Sequence, residues 1–195
     1  MGSGCDKDKM EQAPFLTGQL LLAMPGMSDA RFEHAVIVMA AHDEDGAIGV
    51  GIGHERTGLT LRDLLKQLDI EPGEAPSAPV HHGGPVEPGR GFVLHSLDWS
   101  GQDTVQIAGL CALTGTQDVL QAIASGKGPS QYLVSLGYAG WEGGQLEAEL
   151  TQHGWFTAPA SKEILFDTGS TKRWSAAFQS QGIDPALLVG ETGEA

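Results

Sequence analysis

Between Val80 and Ser96 the chain has to reverse sharply, and the residues on either side of that reversal limit the folds open to it. The stretch reads Val80-His81-His82-Gly83-Gly84-Pro85-Val86, then Arg90-Gly91-Phe92-Val93-Leu94-His95-Ser96. Gly83 and Gly84 can take backbone angles closed to residues with a Cβ. Pro85 fixes its own φ and pushes Gly84 toward extended geometry. A stiff turn results, and it has two possible uses. It is either a plain structural reversal or one whose amides form a nest for an anion. His81 and His82 are neighbours, so in an extended segment they face opposite sides and do not share a metal. Phe92, Val93 and Leu94 form a short apolar run suited to a buried strand that ends at His95. A histidine there serves either as a hydrogen-bonded structural residue or as a catalyst.

The rest of the chain supplies many short elements. Gln19 to Met24 reads as a strand stopped by Pro25-Gly26, and Asp29 caps a turn before Phe32. Val36–Met39 and Ala47–Ile52 read as a hairpin around His42-Asp43-Glu44-Asp45-Gly46, with a loop longer than two residues. Thr60 and Asp63 match a capping box, and Leu61, Leu64, Leu65 and Leu68 follow on one helical face. The proline-rich segment 71–79 reads as a surface loop. Beyond the turn come a strand at 104–108, a helix at 116–124 ended by Gly126, and a strand at 132–136. Gly137, Tyr138, Gly140 and Trp141 read as a glycine-rich loop. A short helix at 145–150, strands at 155–156 and 164–166, and a helix at 173–178 complete the set. Strands outnumber helices and arrive partly in groups, which predicts an α+β fold over a regular βαβ array. Residues 1–13 read as a disordered tail and 14–195 as one domain.

Charge narrows the function classes. Eleven basic against 25 acidic residues leave a net charge of −14, which repels a phosphate backbone, so direct nucleic-acid binding is not expected. Two cysteines, Cys5 and Cys111, do not suggest a disulfide framework. The longest apolar run, residues 35–41, is far short of the roughly 20 residues that span a bilayer. A cytoplasmic protein without a membrane segment is the expectation.

The common catalytic signatures are missing. There is no Gly-x-Ser-x-Gly elbow, no Cys-x-x-Cys and no His-Glu-x-x-His. His54 stands where a dinucleotide fingerprint would continue from Gly49, Gly51 and Gly53 with another glycine. No cofactor and no metal are expected. The residues left as a candidate ligand or partner surface are His42, Gly83, Gly84, Pro85, His95, Tyr138 and Trp141. Glu147 and Glu149 sit two apart, so on a helix they do not face one another as an acid/base pair.

Several of these segments, taken in order, resemble the YqgE/AlgH family of bacterial proteins. They are residues 19–27 with Asp29 and Phe32, His42 with Gly46, Ala47 and Gly49, and Gly83-Gly84-Pro85-Val86. Phe92 to His95, Leu136 to Trp141, and Gln145 to Leu150 follow. The resemblance spans about residues 15 to 190. It implies a bifurcated mixed or antiparallel sheet forming a pseudo-barrel flanked by helices. It also implies unassigned biochemistry, with an indirect effect on transcription through a protein partner or small ligand. The alternative is a small-molecule enzyme with a pocket at the Gly-Gly-Pro turn and His95. The family supplies no established catalytic residues. Two positions depart from its pattern. Gly53-His54-Glu55-Arg56 replaces an Asn-Arg-Pro-like strand end, and His82 replaces an apolar or aromatic residue.

Overall fold

Leu20, Leu21 and Leu22 are all fully buried, which requires a strand covered on both faces. They lie in β1, Gln19–Ala23. Period-two alternation divides β1 and β2, Val36–Asp43, between two cores. Leu20, Leu22, Val36 and Val38 pack on one face, and Leu21, Ala23, Ile37 and Met39 on the other. Each of these Leu, Ile, Val and Met side chains contributes about 1.5–3 kcal/mol of apolar burial. The computed structural model describes residues 15–27 and 29–188, so the expected tail at 1–13 lies outside the described residues.

The remaining strands are β3 (Gly46–Gly51), β4 (Glu55–Thr60), β5 (Pro79–His82), β6 (Val86–His95), β7 (Val105–Ile107), β8 (Cys111–Thr114), β9 (Tyr132–Glu142) and β10 (Trp155–Pro159). The fold is α+β. The sheet, in the order β10-β1-β2-β3-β9-β6-β8-β7, curls into a half-barrel. β9 is where it forks. One edge of β9 pairs antiparallel with β6. Its other edge is shared, with β5 running parallel along Val134–Leu136 and β3 antiparallel along Ala139–Glu142. β4 pairs with β5 outside the main path.

Helices cover the faces. α1, Leu61–Gln67, carries the expected capping box, and Leu61, Leu64 and Leu65 are buried. With α2, Gln117–Ala124, it packs on Val80, Val93, Val134 and Leu136. α3, Gln145–Thr151, inserts Leu146 beside Trp141 and Trp155. α4, Ser170–Ser180, places Ala177 and Phe178 under β1, and a short α5, Pro185–Leu188, follows. Among the described residues no helix is long and apolar enough to cross a membrane.

Three sequence expectations are corrected. The β2–β3 hairpin closes with a two-residue turn, Glu44-Asp45, because the pairing extends to Asp43↔Gly46. Tyr138 and Trp141 belong to β9 and not to a loop. Their glycine neighbours, Gly137 and Gly140, are strand residues, and Gly137 sits at a close main-chain approach, one of the accepted places for glycine in a strand. Residues 164–166 form part of a π-helical turn, Glu163–Asp167, where Ile164 and Leu165 are buried. Periodicity cannot distinguish a short apolar run in a strand from one in a buried helical turn.

Candidate functional site

The Gly83-Gly84 segment is a crossing. The chain leaves β5 on one edge of β9 and must reach β6 on the other, so it passes over β9 main chain to main chain. Gly83 N–H donates to Leu136 O at 2.8 Å, and Gly51 N–H donates to Gly83 O at 2.7 Å. A Cβ on Gly83 would lie 2.0 Å from Gly137 O, and one on Gly84 2.1 Å from the Tyr138 carbonyl carbon. A Cβ on Gly137, which has φ +78°, would meet Gly84 O at 2.3 Å. No side chain fits in this seam.

Two cavities flank it. The first, about 430 Å³, is walled by Gly83 and Gly84, and its accessible apolar side chains are Phe32, Pro85 and Pro88. Among the described residues its polar side chains are Arg31, His54 and His82, and no carboxylate lines it. His54 and His82 come together because β4 pairs with β5, and His82 N–H donates to His54 O at 2.9 Å. Burial lowers the His82 pKa, and the positive charges of Arg56 and His54 lower it further. Arg31 is held by Asp29 through Nε and Nη2, the closest contact 2.7 Å. Among the described residues, the amides of Gly53, His54 and Gly84 donate to no carbonyl or side chain.

The second cavity, about 610 Å³, shares Arg31, Phe32 and Pro85 with the first. Its distinctive feature is Glu149. The indole N–H groups of Trp141 and Trp155 donate to the same Oε2, at 3.0 and 2.9 Å, and Gln145 Nε2 donates to Oε1 at 3.0 Å. One carboxylate thus fixes two nearly buried tryptophans and α3.

The histidines of the candidate surface are not brought together. His42 on β2 accepts from Leu16 N–H at Nδ1, 3.0 Å, so its proton sits on Nε2 and is donated to Glu147 Oε1 at 2.8 Å. His95, with no exposed surface, donates from Nδ1 to Ser96 O at 2.8 Å. Its Nε2 accepts from the Thr114 hydroxyl at 2.9 Å, which in turn accepts from Thr104 at 2.8 Å. Each ring is occupied at both nitrogens, and His95 lines neither cavity. Gly83, Gly84 and Pro85 line the first cavity, Pro85 and Trp141 the second, and half-buried Tyr138 lies between under the crossing. Tyr138 also meets Phe92 edge to face.

A further buried unit lies on the opposite face of β5. His81 donates from Nδ1 to Val134 O at 3.0 Å, leaving Nε2 to accept from Arg173 Nη1 at 3.3 Å. Arg173 also donates to Ile52 O and Ile164 O. Burial, more than the neighbouring guanidinium, lowers the His81 pKa, and burial brings Arg173 down to about 10. Cys111 is buried and its thiol pushed up to about 11, which keeps it protonated and unreactive. Among the described residues no group of three or more His, Cys, Asp or Glu is placed to hold a metal.

Sequence reasoning missed Arg31, Phe32, His54, Glu149 and Trp155 as wall residues. Only the β4–β5 pairing could have joined His54 to His82. Glu149 was read solely against Glu147, which the helix indeed directs elsewhere, to His42.

Comparison with known proteins agrees with this architecture. The family model described as AlgH-like matches residues 20–186. A UPF0301 protein of Novosphingobium aromaticivorans is 57% identical over 186 residues, covering 95% of this chain and all of that one. One from Jannaschia sp. is 48% identical over 183 residues, covering 92% of this chain and 95% of that one. The solution structure of the AlgH protein from Pseudomonas aeruginosa aligns with a TM-score of 0.76 at 42% identity, covering 95% of this chain and all of that one. A crystal structure from Corynebacterium diphtheriae, 21% identical, aligns with a TM-score of 0.72 over 91% of this chain and 93% of its own, and shares the fold.

Proposed function

This chain belongs to the AlgH-like family, and from that membership we propose a non-enzymatic recognition protein of the cytoplasm. It takes a small ligand or a partner's segment in the cleft beside the glycine crossing. Any influence on transcription passes through that binding event and not through contact with DNA.

The observation that carries this reading is the contrast in how polar groups are used. His42 and His95, the groups a catalytic reading would need, are each held at both ring nitrogens by partners other than one another. The open cleft, by contrast, is walled by rigid main chain and has an apolar floor with a few polar groups at its rim. A net charge of −14 supports the exclusion of DNA contact.

The test has two arms. Copurification from the native cytoplasm, with proteins and metabolites identified together, is expected to recover a bound species whose binding His82→Ala or Phe32→Ala weakens. A gel shift at physiological salt is expected to show no sequence-selective retardation by the pure protein. Tight selective DNA binding, or a bound species indifferent to both substitutions, overturns the reading.

A further inference from the structure

We infer that the 430 Å³ cleft beside the glycine crossing is a site for a small organic anion with an apolar body, a carboxylate or a phosphoryl monoester. This rests on the recognition reading above and assigns the ligand's chemistry.

Three observations converge. The polar side chains that line the cleft are all basic or potentially basic, Arg31, His54 and His82, in a chain carrying 25 acidic residues. A carboxylate-free lining is therefore a local departure from the molecule's charge. Arg31 is already paired with Asp29, so it closes the rim, while the two imidazoles remain without a side-chain partner among the described residues. Each imidazole can donate a ring N–H whether neutral or charged. The second observation is the main chain. Gly53, His54 and Gly84 line the cleft, and their amides have no hydrogen-bond acceptor among the described residues. Main-chain N–H groups of this kind are the standard partners of carboxylate and phosphate oxygens. The third is the floor. Phe32, Pro85 and Pro88 supply the accessible apolar part of the lining, which an inorganic ion would leave unused.

The acidic neighbour reinforces the assignment. Across Pro85 the adjoining cavity presents Glu149, so a ligand with a cationic group would be drawn there and away from the imidazoles.

The test is an NMR titration of the full chain with four probes: benzoate, phenyl phosphate, inorganic phosphate and benzyl alcohol. At least one aromatic anion is expected to give saturable shifts at the amides of Gly53, His54 and Gly84, with millimolar affinity, as suits so small a ligand. Inorganic phosphate and benzyl alcohol are each expected to bind at least about tenfold more weakly, or not at all. The exposed pair His54→Ala with His82→Ala should reduce aromatic-anion affinity about tenfold or more. Gln152→Ala, in the adjoining cavity, should leave it unchanged. If benzyl alcohol saturates the same amides as tightly as benzoate, the anion assignment falls and the cleft remains a recognition site. If inorganic phosphate matches phenyl phosphate, the apolar body is wrong. If no probe moves these amides while a copurified partner does, the small anion is overturned and the recognition reading stands. If neither probe nor partner moves them, both fall.

Discussion

The two cavities that meet at Pro85 share a wall and differ in chemistry. Pro85, with Arg31 and Phe32, bounds both, and Gly83 and Gly84 wall the first. On one side His54, just before β4, and His82 at the end of β5 add two imidazoles and, among the described residues, no acid. On the other, α3 adds a carboxylate that two tryptophans hold in place. The backbone seam decides where the hollows are, and separate elements decide what each hollow prefers. Each chemistry should therefore be removable without the other, while the seam should not be.

The severest break is Gly83→Val. Its Cβ would collide with main-chain oxygen, which no rotamer change relieves. Both cavities should go together with the fold, a loss above about 4 kcal/mol, read as collapsed NMR dispersion and no cooperative melt. A well-folded variant would refute the seam as the common wall. Next is Glu149→Ala, which strands two nearly buried indole N–H groups. It should lower stability by about 2 kcal/mol, or the melting point by roughly 5 °C. The amides of Gly53 and Gly84 should keep their chemical shifts. Movement there would show that the two hollows are not independent.

The same contrast exists within one dipeptide. His82 faces the cleft and His81 faces the buried Arg173. Because the folded-state pKa of His81 is depressed, the unfolded chain binds a proton that the folded chain resists. Stability is then full above the ordinary histidine value of 6.5 and declines as pH falls below it. Denaturation at a series of pH values should show His81→Asn with a shallower acid slope, by up to about 1.4 kcal/mol per pH unit. Parallel curves would remove His81 from the account. Smallest of all, His82→Ala should change stability by no more than about 0.5 kcal/mol, since the residue is exposed, so any larger drop would mean it supports the wall.

Part of this is legible in the sequence. The capping box at Thr60, the leucine face of α1, the first strands and the need for glycine at 83 and 84 all follow from local rules. What local rules omit is why the glycines are needed. They permit positive φ, but here they also admit a second strand at main-chain contact, and that strand lies more than fifty residues on. Gly137 reads as part of a loop for the same reason, although inside β9 it is what that contact requires. β4 escaped because Glu55–Thr60 is polar and largely exposed, with no alternation to detect. His95 looked available because sequence shows a histidine's position but not the threonine hydroxyls aimed at it.

The seam also sets an order of assembly. It joins stretches around residues 51, 83 and 137, none adjacent in the chain, so no early local collapse can form it. The β2–β3 hairpin and α1 can organise while the polypeptide is still emerging from the ribosome. The fork cannot lock until Gly137 has been synthesised and has reached the crossing. Until then β5 lacks its parallel partner and β6 its central neighbour, so both must wait for β9 before those pairings can form.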